Sequence, residues 1–332
     1  MNIERRDFFK ILSVGAAAAV GTKPAQSREW QHRGRNDDAP AILYDATLCI
    51  GCKTCEVGCK EANDLQTEHS EVEDWHGVDG VWDSSLDLSV QSYVKIKMYK
   101  NGDGSVKDRE VDGYSFIRSA CMHCAEPDCQ SVCPTSALIK DDKTGIVSWN
   151  IDACCGCRYC QVACPYLVPK FEYGEAFPKL QKCFFCEHRI VEGQIPGCCE
   201  ACPTGATIYG KYKDVLAEAK QRVVMKEGTE YDYPVHTVDG DYTTKQPIKK
   251  YINHVYGETE GGGTQYIVLS AVPFEKLGLP NLPAHSASAK SEKLQHTLYH
   301  NLIAPLVLLG GLIGAAYRNT KKEDKIESGR AK

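Results

Sequence analysis

The sequence predicts an α+β fold of two nested modules with insertions, followed by a single C-terminal transmembrane helix. Three observations predict it. Sixteen of the 18 cysteines fall into four sets of four, two internal repeats relate those sets, and a run near the C-terminus, 298–317, carries no Asp, Glu, Lys or Arg. Composition sets the remaining bounds. The chain has 332 residues, 42% of them apolar, and a net charge of -5. That balance suits a globular protein and excludes a nucleic-acid carrier, which needs a concentrated basic face. The cysteine-rich middle is poor in long apolar runs, so metal cores are expected to replace part of the hydrophobic core. A disulfide scaffold is the competing reading of so many cysteines, but disulfide frameworks do not repeat their spacings in this way.

Residues 1–27 read as an export signal. Arg5-Arg6-Asp7-Phe8-Phe9-Lys10 gives a basic start, Ile11 to Val20 a short apolar run, and Ala25-Gln26-Ser27 small residues before a break. The paired arginines resemble the twin-arginine signal, which implies export after folding and cofactor loading. An uncleaved basic anchor helix is the other reading. Residues 28–40 are polar and read as a linker.

The cysteine-rich domain is expected over 41–212, with an insertion at 60–119. Ile42-Leu43-Tyr44-Asp45 reads as a strand that delivers Cys49, Cys52, Cys55 and Cys59. The arrangement recurs 105 residues later, where Ile146-Val147-Ser148-Trp149-Asn150 precedes Cys154, Cys157, Cys160 and Cys164. A second repeat, offset by 69, carries Cys133-Pro134-Thr135-Ser136-Ala137-Leu138-Ile139 onto Cys202-Pro203-Thr204-Gly205-Ala206-Thr207-Ile208. In each copy proline ends one element and a short strand follows. Upstream lie Cys121, Cys124 and Cys129 in one copy and Cys183, Cys186 and Cys198 in the other. The first and fourth sets therefore enclose the second and third.

Within the insertion, Tyr93 to Tyr99 alternates apolar and polar residues, and Asn101-Gly102-Asp103-Gly104 supplies turn chemistry for a hairpin. Trp75 and Trp82 are read as packing residues. Residues 213–297 are expected to form a capping helix, with Val215, Leu216, Ala219 and Val223 at helical spacing, and then an extended arm. That arm holds one strand, Gln265 to Ala271, and lies over the module, lies on a partner subunit, or stays disordered. The stretch 298–317 is long enough for a membrane span, with Tyr299 and Tyr317 at its ends, although Pro305 and Gly310-Gly311 weaken it. The basic tail, 318–332, should stay cytoplasmic, which leaves the cysteine domain on the exported side and the helix in lipid.

The chemistry follows from the spacing. Cys-x2-Cys-x2-Cys-x3-Cys-Pro places three thiolates on one iron-sulfur cube and sends the fourth to a neighbouring cube, the pattern of bacterial ferredoxin-like two-cluster modules. Exchange within each nested pair gives four [4Fe-4S] ligand sets. Cys49, Cys52 and Cys55 take Cys202, and Cys183, Cys186 and Cys198 take Cys59. In the inner pair, Cys154, Cys157 and Cys160 take Cys133, and Cys121, Cys124 and Cys129 take Cys164. Cys183-x2-Cys186 with Cys199-x2-Cys202 also fits a zinc ribbon, but Cys198 supplies the partner that Cys59 requires. Cys155 and Cys199 are left over, as buried or sulfur-adjacent residues. His123 is read as packing or as a donor to sulfur. No catalytic constellation stands out, so the chain is expected to move electrons without transforming a substrate.

Together the cysteine sets resemble the four-cluster electron-transfer subunits of the DMSO reductase, nitrate reductase and formate dehydrogenase type. More narrowly, the chain resembles the iron-sulfur subunits of membrane-bound [NiFe] hydrogenase-2. That likeness rests on the twin-arginine-like start, Asp45-Ala46-Thr47-Leu48-Cys49, Cys121-Met122-His123-Cys124, Gly156-Cys157-Arg158-Tyr159-Cys160, Tyr256-Gly257-Glu258-Thr259-Glu260-Gly261-Gly262-Gly263-Thr264-Gln265, and Gln295-His296-Thr297-Leu298-Tyr299. The resemblance implies a periplasmic subunit, anchored in the inner membrane, that relays electrons in anaerobic respiration. Its partners would be the small and large [NiFe] hydrogenase subunits and an integral membrane quinone-reactive subunit. The alternative is the equivalent subunit of a molybdopterin oxidoreductase such as formate dehydrogenase.

Overall fold

A computed structural model describes residues 35–66, 87–174, 178, 180–300 and 303–330. The export-signal expectation, Trp75 and Trp82 lie outside them. In chain order the elements are β1 (Pro40–Asp45), α1 (Thr54–Ala62), β2 (Val94–Lys100), β3 (Val106–Lys107), β4 (Gly113–Ala120), α2 (Asp128–Ser131), β5 (Leu138–Lys140), β6 (Val147–Trp149), α3 (Tyr159–Ala163), β7 (Lys170–Phe171), β8 (Leu180–Gln181), α4 (Glu187–Val191), α5 (Gly197–Glu200), β9 (Thr207–Lys211), α6 (Tyr212–Val224), β10 (Glu230–Pro234), β11 (Thr243–Pro247), β12 (Tyr266–Leu269), α7 (Ala287–His300) and α8 (Ile303–Arg330). The mixture is α+β, as expected.

β1 organises the unit Arg33–Lys290, which contains every cysteine. It is the middle strand of the sheet β12-β1-β9, parallel to β12 and antiparallel to β9. Its side chains alternate between two cores, as the period-2 geometry of a strand requires. Ile42 and Tyr44 enter the core that surrounds Cys49, Cys55, Cys59, Cys198 and Cys202, while Ala41 and Leu43 pack under α6 with Val215 and Ala219. The capping helix is present. Its Arg222 reaches through to the end of β1, 3.0 Å from Asp45 and 2.7 Å from Glu218, with Arg222 and Asp45 fully buried.

The two repeats pair in the same register. Tyr44 faces Thr207 and Ile42 faces Tyr209 across β1 and β9. Shifting the first by 105 and the second by 69 gives Trp149 facing Leu138 and Val147 facing Lys140, which are the pairs across β6 and β5. The repeat in sequence is thus a repeat in backbone pairing, and it sets each cysteine loop at the same place relative to its strands.

The insertion forms the expected strand and turn: β2 pairs with β4, and β3 lies parallel to β4 on its other side. The arm is ordered against the cysteine module. β12 joins β1, the Gln265 side chain bridges the carbonyls of Pro40 and Thr144 at 2.7 and 2.8 Å, and Ala125 N–H donates to Gly263 at 2.8 Å. It also contains a hairpin, β10 with β11, that sequence periodicity missed.

The C-terminal run differs from expectation. Of residues 298–317, those described belong to α7 (to His300) and α8 (from Ile303), and no helix among the described residues is long and apolar enough to cross a membrane. Within α8 the described apolar residues before Arg318 cover 303–316, about 21 Å at 1.5 Å per residue against about 30 Å of hydrocarbon.

Candidate metal centres

Four short loops hold most of the cysteines, and one backbone device recurs in all of them. The residue before the second cysteine is left-handed in each: Gly51 (φ 72°), His123 (φ 45°), Gly156 (φ 69°) and Phe185 (φ 64°). In the two repeat-related loops the residue after it, Lys53 (φ 61°) and Arg158 (φ 65°), is left-handed too. The Cys-Pro segments match in the same way, with Ser136 (φ 54°) and Gly205 (φ 70°) at equivalent positions. Such turns bring successive amide N–H groups to one side, where they favour negative charge. Amides do meet sulfur here. Phe185 donates to Cys183 at 3.3 Å, Ala137 to Cys133 at 3.2 Å and Thr207 to Cys202 at 3.4 Å.

Helix approach delivers the fourth cysteine. α1 and α5 cross at Gly58 and Gly197, where a Cβ on Gly58 would lie 2.7 Å from the Gly197 carbonyl oxygen and 2.6 Å from Ala201 Cβ. Two glycines at one crossing let the backbones touch, which brings Cys59 to Cys198.

The electrostatic surroundings identify which sulfurs meet. Burial, then the neighbouring sulfurs of Cys183, Cys198 and Cys186, push the Cys59 thiol well above its ordinary range. Burial raises Cys160 to about 12, helped by Cys157, Cys133 and Cys154. Cys124 is raised by burial and then by Cys164, Cys121 and Cys129, and Cys49 by burial with Cys202 nearby. Cys52 is exposed and contacts Thr54 Oγ1 at 3.2 Å. Between the sets, Cys55 neighbours Cys198, Cys183 neighbours Cys121, and Cys129 neighbours Cys160. The four sets therefore neighbour one another in succession. Cys52 stands at one end, and Cys155 and Cys157 are exposed at the other.

Two charged side chains and one amide approach these sulfurs, and the sequence did not single them out. Arg118 is buried on β4; its Nη2 donates to Cys198 Sγ at 3.0 Å and its guanidinium lies 4.9 Å over the Tyr266 ring. Lys182, also buried, contacts Cys121 Sγ at 3.9 Å, the Cys183 carbonyl at 2.9 Å and the Val147 carbonyl. Asn63 Nδ2 lies 3.6 Å from both Cys59 and Cys186 sulfurs. The available signal for Arg118 was a lone cation within Phe116-Ile117-Arg118-Ser119-Ala120, an otherwise uncharged stretch of strand. The two leftover cysteines differ: Cys199 is fully buried and Cys155 exposed. A hydrogen bond with Cys199, opposed by burial and reinforced by Arg118, lowers the Cys198 thiol.

The residues present fit iron-sulfur cubes. All eighteen cysteines are free thiols, which removes the disulfide reading for this arrangement. Among the described residues no group of three or more His, Cys, Asp or Glu side chains converges as a single metal ion requires, whereas a zinc site needs four donors about 2.3 Å from one point. Crowded sulfurs with raised pKa values are what a cationic iron core neutralises. Buried polar atoms point the same way. His123 Nδ1 accepts from Val147 N–H at 3.1 Å, leaving the ring proton on Nε2, and that atom has no hydrogen-bond partner among the described residues. Nε and Nη1 of Arg118 are likewise buried without partners.

Comparison with known proteins agrees. A family described as "4Fe-4S dicluster domain" matches residues 113–212. The chain is 42% identical to hydrogenase-2 operon protein HybA of Escherichia coli O157:H7, covering 97% of each chain. It is 31% identical to the iron-sulfur subunit of nitrate-inducible formate dehydrogenase of Escherichia coli K12, covering 70% of this chain and 71% of that one.

Proposed function

From the premise that this chain belongs to the HybA family of iron-sulfur proteins, we propose that it relays electrons along four [4Fe-4S] clusters between a hydrogenase and a membrane quinone-reactive subunit. Site 1 is Cys49, Cys52, Cys55 and Cys202. Site 2 is Cys59, Cys183, Cys186 and Cys198. Site 3 is Cys121, Cys124, Cys129 and Cys164, and site 4 is Cys133, Cys154, Cys157 and Cys160. The observation that carries this reading is the crossing of sulfurs between repeats, above all Cys59 among Cys183, Cys186 and Cys198.

The clusters supply one-electron redox chemistry when bound. The chain's part is to hold them in a row, keep sites 2 and 3 dry, and present sites 1 and 4 to partners. Beside exposed Cys157, Tyr159, Val162 and Leu167 are also exposed, which suits apolar docking of a redox partner. The partners of this reading are the small and large [NiFe] subunits on one side and the integral membrane subunit on the other. Twin-arginine export would place the cysteine domain in the periplasm. Leu306, Val307, Leu308, Leu312 and Ile313 of α8 are exposed around the helix, and they suit a lipid-facing or subunit-facing anchor with the basic tail on the cytoplasmic side. The formate dehydrogenase likeness supports a second reading in which the partner carries a pterin.

Two measurements test this. Anaerobically purified protein should hold about sixteen irons per chain, four per cluster, and Cys59→Ser should abolish the signal of site 2 while sparing that of site 1. Loss of site 1 alone would refute the exchanged ligation. Nickel in the co-purifying complex is expected; a pterin enzyme without nickel would replace the hydrogenase reading by the second.

A further inference from the structure

We propose that site 2, held by Cys59, Cys183, Cys186 and Cys198, is the most easily reduced of the four clusters, and that Arg118 and Lys182 make it so. The inference rests on the four-cluster reading and adds an order of potentials to it. Arg118 stands between sites 1 and 2, with Nη2 3.0 Å from Cys198 and Cys55 among its charge neighbours. Lys182 stands between sites 2 and 3, touching Cys121 Sγ at 3.9 Å and the Cys183 carbonyl at 2.9 Å. Site 2 borders both of these cations. Site 3 borders Lys182 and the buried Lys140, whose Nζ donates to the Cys124 carbonyl at 2.8 Å, but neither lysine makes a contact to sulfur as short as the 3.0 Å one from Arg118 to Cys198. The donors of site 2 include a whole cation: Arg118 to Cys198, with Asn63 at 3.6 Å from Cys59 and Cys186, and Phe185 N–H at 3.3 Å to Cys183.

The physical chain is short. Reduction adds one electron, and so one negative charge, to the cluster while a neighbouring cluster gives that electron up; no bond breaks. Fixed cations and N–H donors beside the sulfurs stabilise the more negative state and raise the potential. Solvent acts in the same direction at sites 1 and 4, where Cys52 and Cys157 are exposed. It loses to a buried guanidinium in direct contact with sulfur and backed by Lys182, because screening and dielectric response are weak where these charges lie. The contacts of Lys182 are carbonyl oxygens and sulfur, and the charge neighbours of Arg118 are sulfurs and Tyr266, so these charges act on the clusters. In function, site 2 would retain an electron when the others are oxidised, one step in from the end marked by Cys52.

The test is a potentiometric titration followed by electron paramagnetic resonance on the full-length, cluster-loaded chain, with iron counted in every sample. In Arg118→Gln the first cluster to be reduced should need a potential lower by at least about 59 mV, a tenfold change in its one-electron reduction equilibrium. Lys182→Gln should lower the same signal, and Arg118→Lys should leave it within a few-fold of the wild type. The proposal is overturned if fully loaded Arg118→Gln and Lys182→Gln proteins move no midpoint, or if they move two different signals. If Arg118→Gln loads poorly, Lys182→Gln decides: the first-reduced signal must shift. A wild-type iron count short of four clusters would instead defeat the underlying reading.

Discussion

The outer strand pair, β1 with β9, and the inner pair, β6 with β5, share one register and differ in almost everything around it. The outer pair has strands of six and five residues, a third strand beside it, the nine-residue α1 and a buried Asp45–Arg222–Glu218 network. The inner pair has strands of three residues and is flanked by helices of four and five. The shared register therefore sets the cysteine loops in equivalent places, while the surroundings decide how well each site is insulated and how far the polypeptide is stable without metal. The inner module has little core of its own, so more of its stability should come from metal binding.

The most severe way to break the comparison is at the glycine crossing, which the inner pair lacks. Gly58→Val forces branched carbon into a crossing where even a single Cβ on residue 58 would lie 2.7 Å from the Gly197 oxygen. α1 and α5 must part, and Cys59 leaves site 2. The expected outcome is loss of about four irons per chain, one cluster's worth, with the signals of sites 3 and 4 retained. A full iron count would show that the close approach is not what assembles site 2.

A smaller effect separates scaffold from site. Arg222→Ala leaves Asp45 and Glu218 without their cation, and Asp45 is fully buried. Removing one partner of a buried pair costs about 3–5 kcal/mol. Unfolding should begin at a lower temperature, measured by circular dichroism on loaded protein, while the resonance of sites 3 and 4 in folded protein stays as in the wild type. An unchanged unfolding temperature would mean that α6 does not brace β1.

How much of this was legible in the sequence depends on what each residue has to satisfy. The repeats, the first strand of each repeat and the capping helix were readable, because cysteine spacing and apolar period constrain the chain locally. The β10–β11 hairpin was not: Glu230–Pro234 and Thr243–Pro247 are mostly polar, and both end in proline. Arg118 and Lys182 were missed because their roles come from sulfurs 80 and 61 residues away in the chain. The transmembrane expectation counted apolar residues continuously through 298–317, whereas no helix among the described residues is long and apolar enough to cross a membrane.

The gentlest probe lies where the insertion meets the inner module. Asp87 binds Lys97 of β2 at 2.6 Å and Lys170 of β7 at 3.0 Å. Burial raises its pKa, but the hydrogen bonds from Lys97 and Lys170 outweigh burial and hold it at about 2. A carboxylate depressed on folding, from about 3.9 in the unfolded chain, stabilises the native state above that value and loses the contribution as pH falls from about 4 through 2. Asp87 is half exposed, so solvent screening limits the effect to about 0.5 kcal/mol. Asp87→Asn should therefore lower the unfolding temperature slightly at pH 7 in dilute buffer. The difference should shrink in about 1 M salt, where the screening length is about 3 Å. If it survives the salt, Asp87 acts by packing, and the inner module is not tied to the insertion by charge.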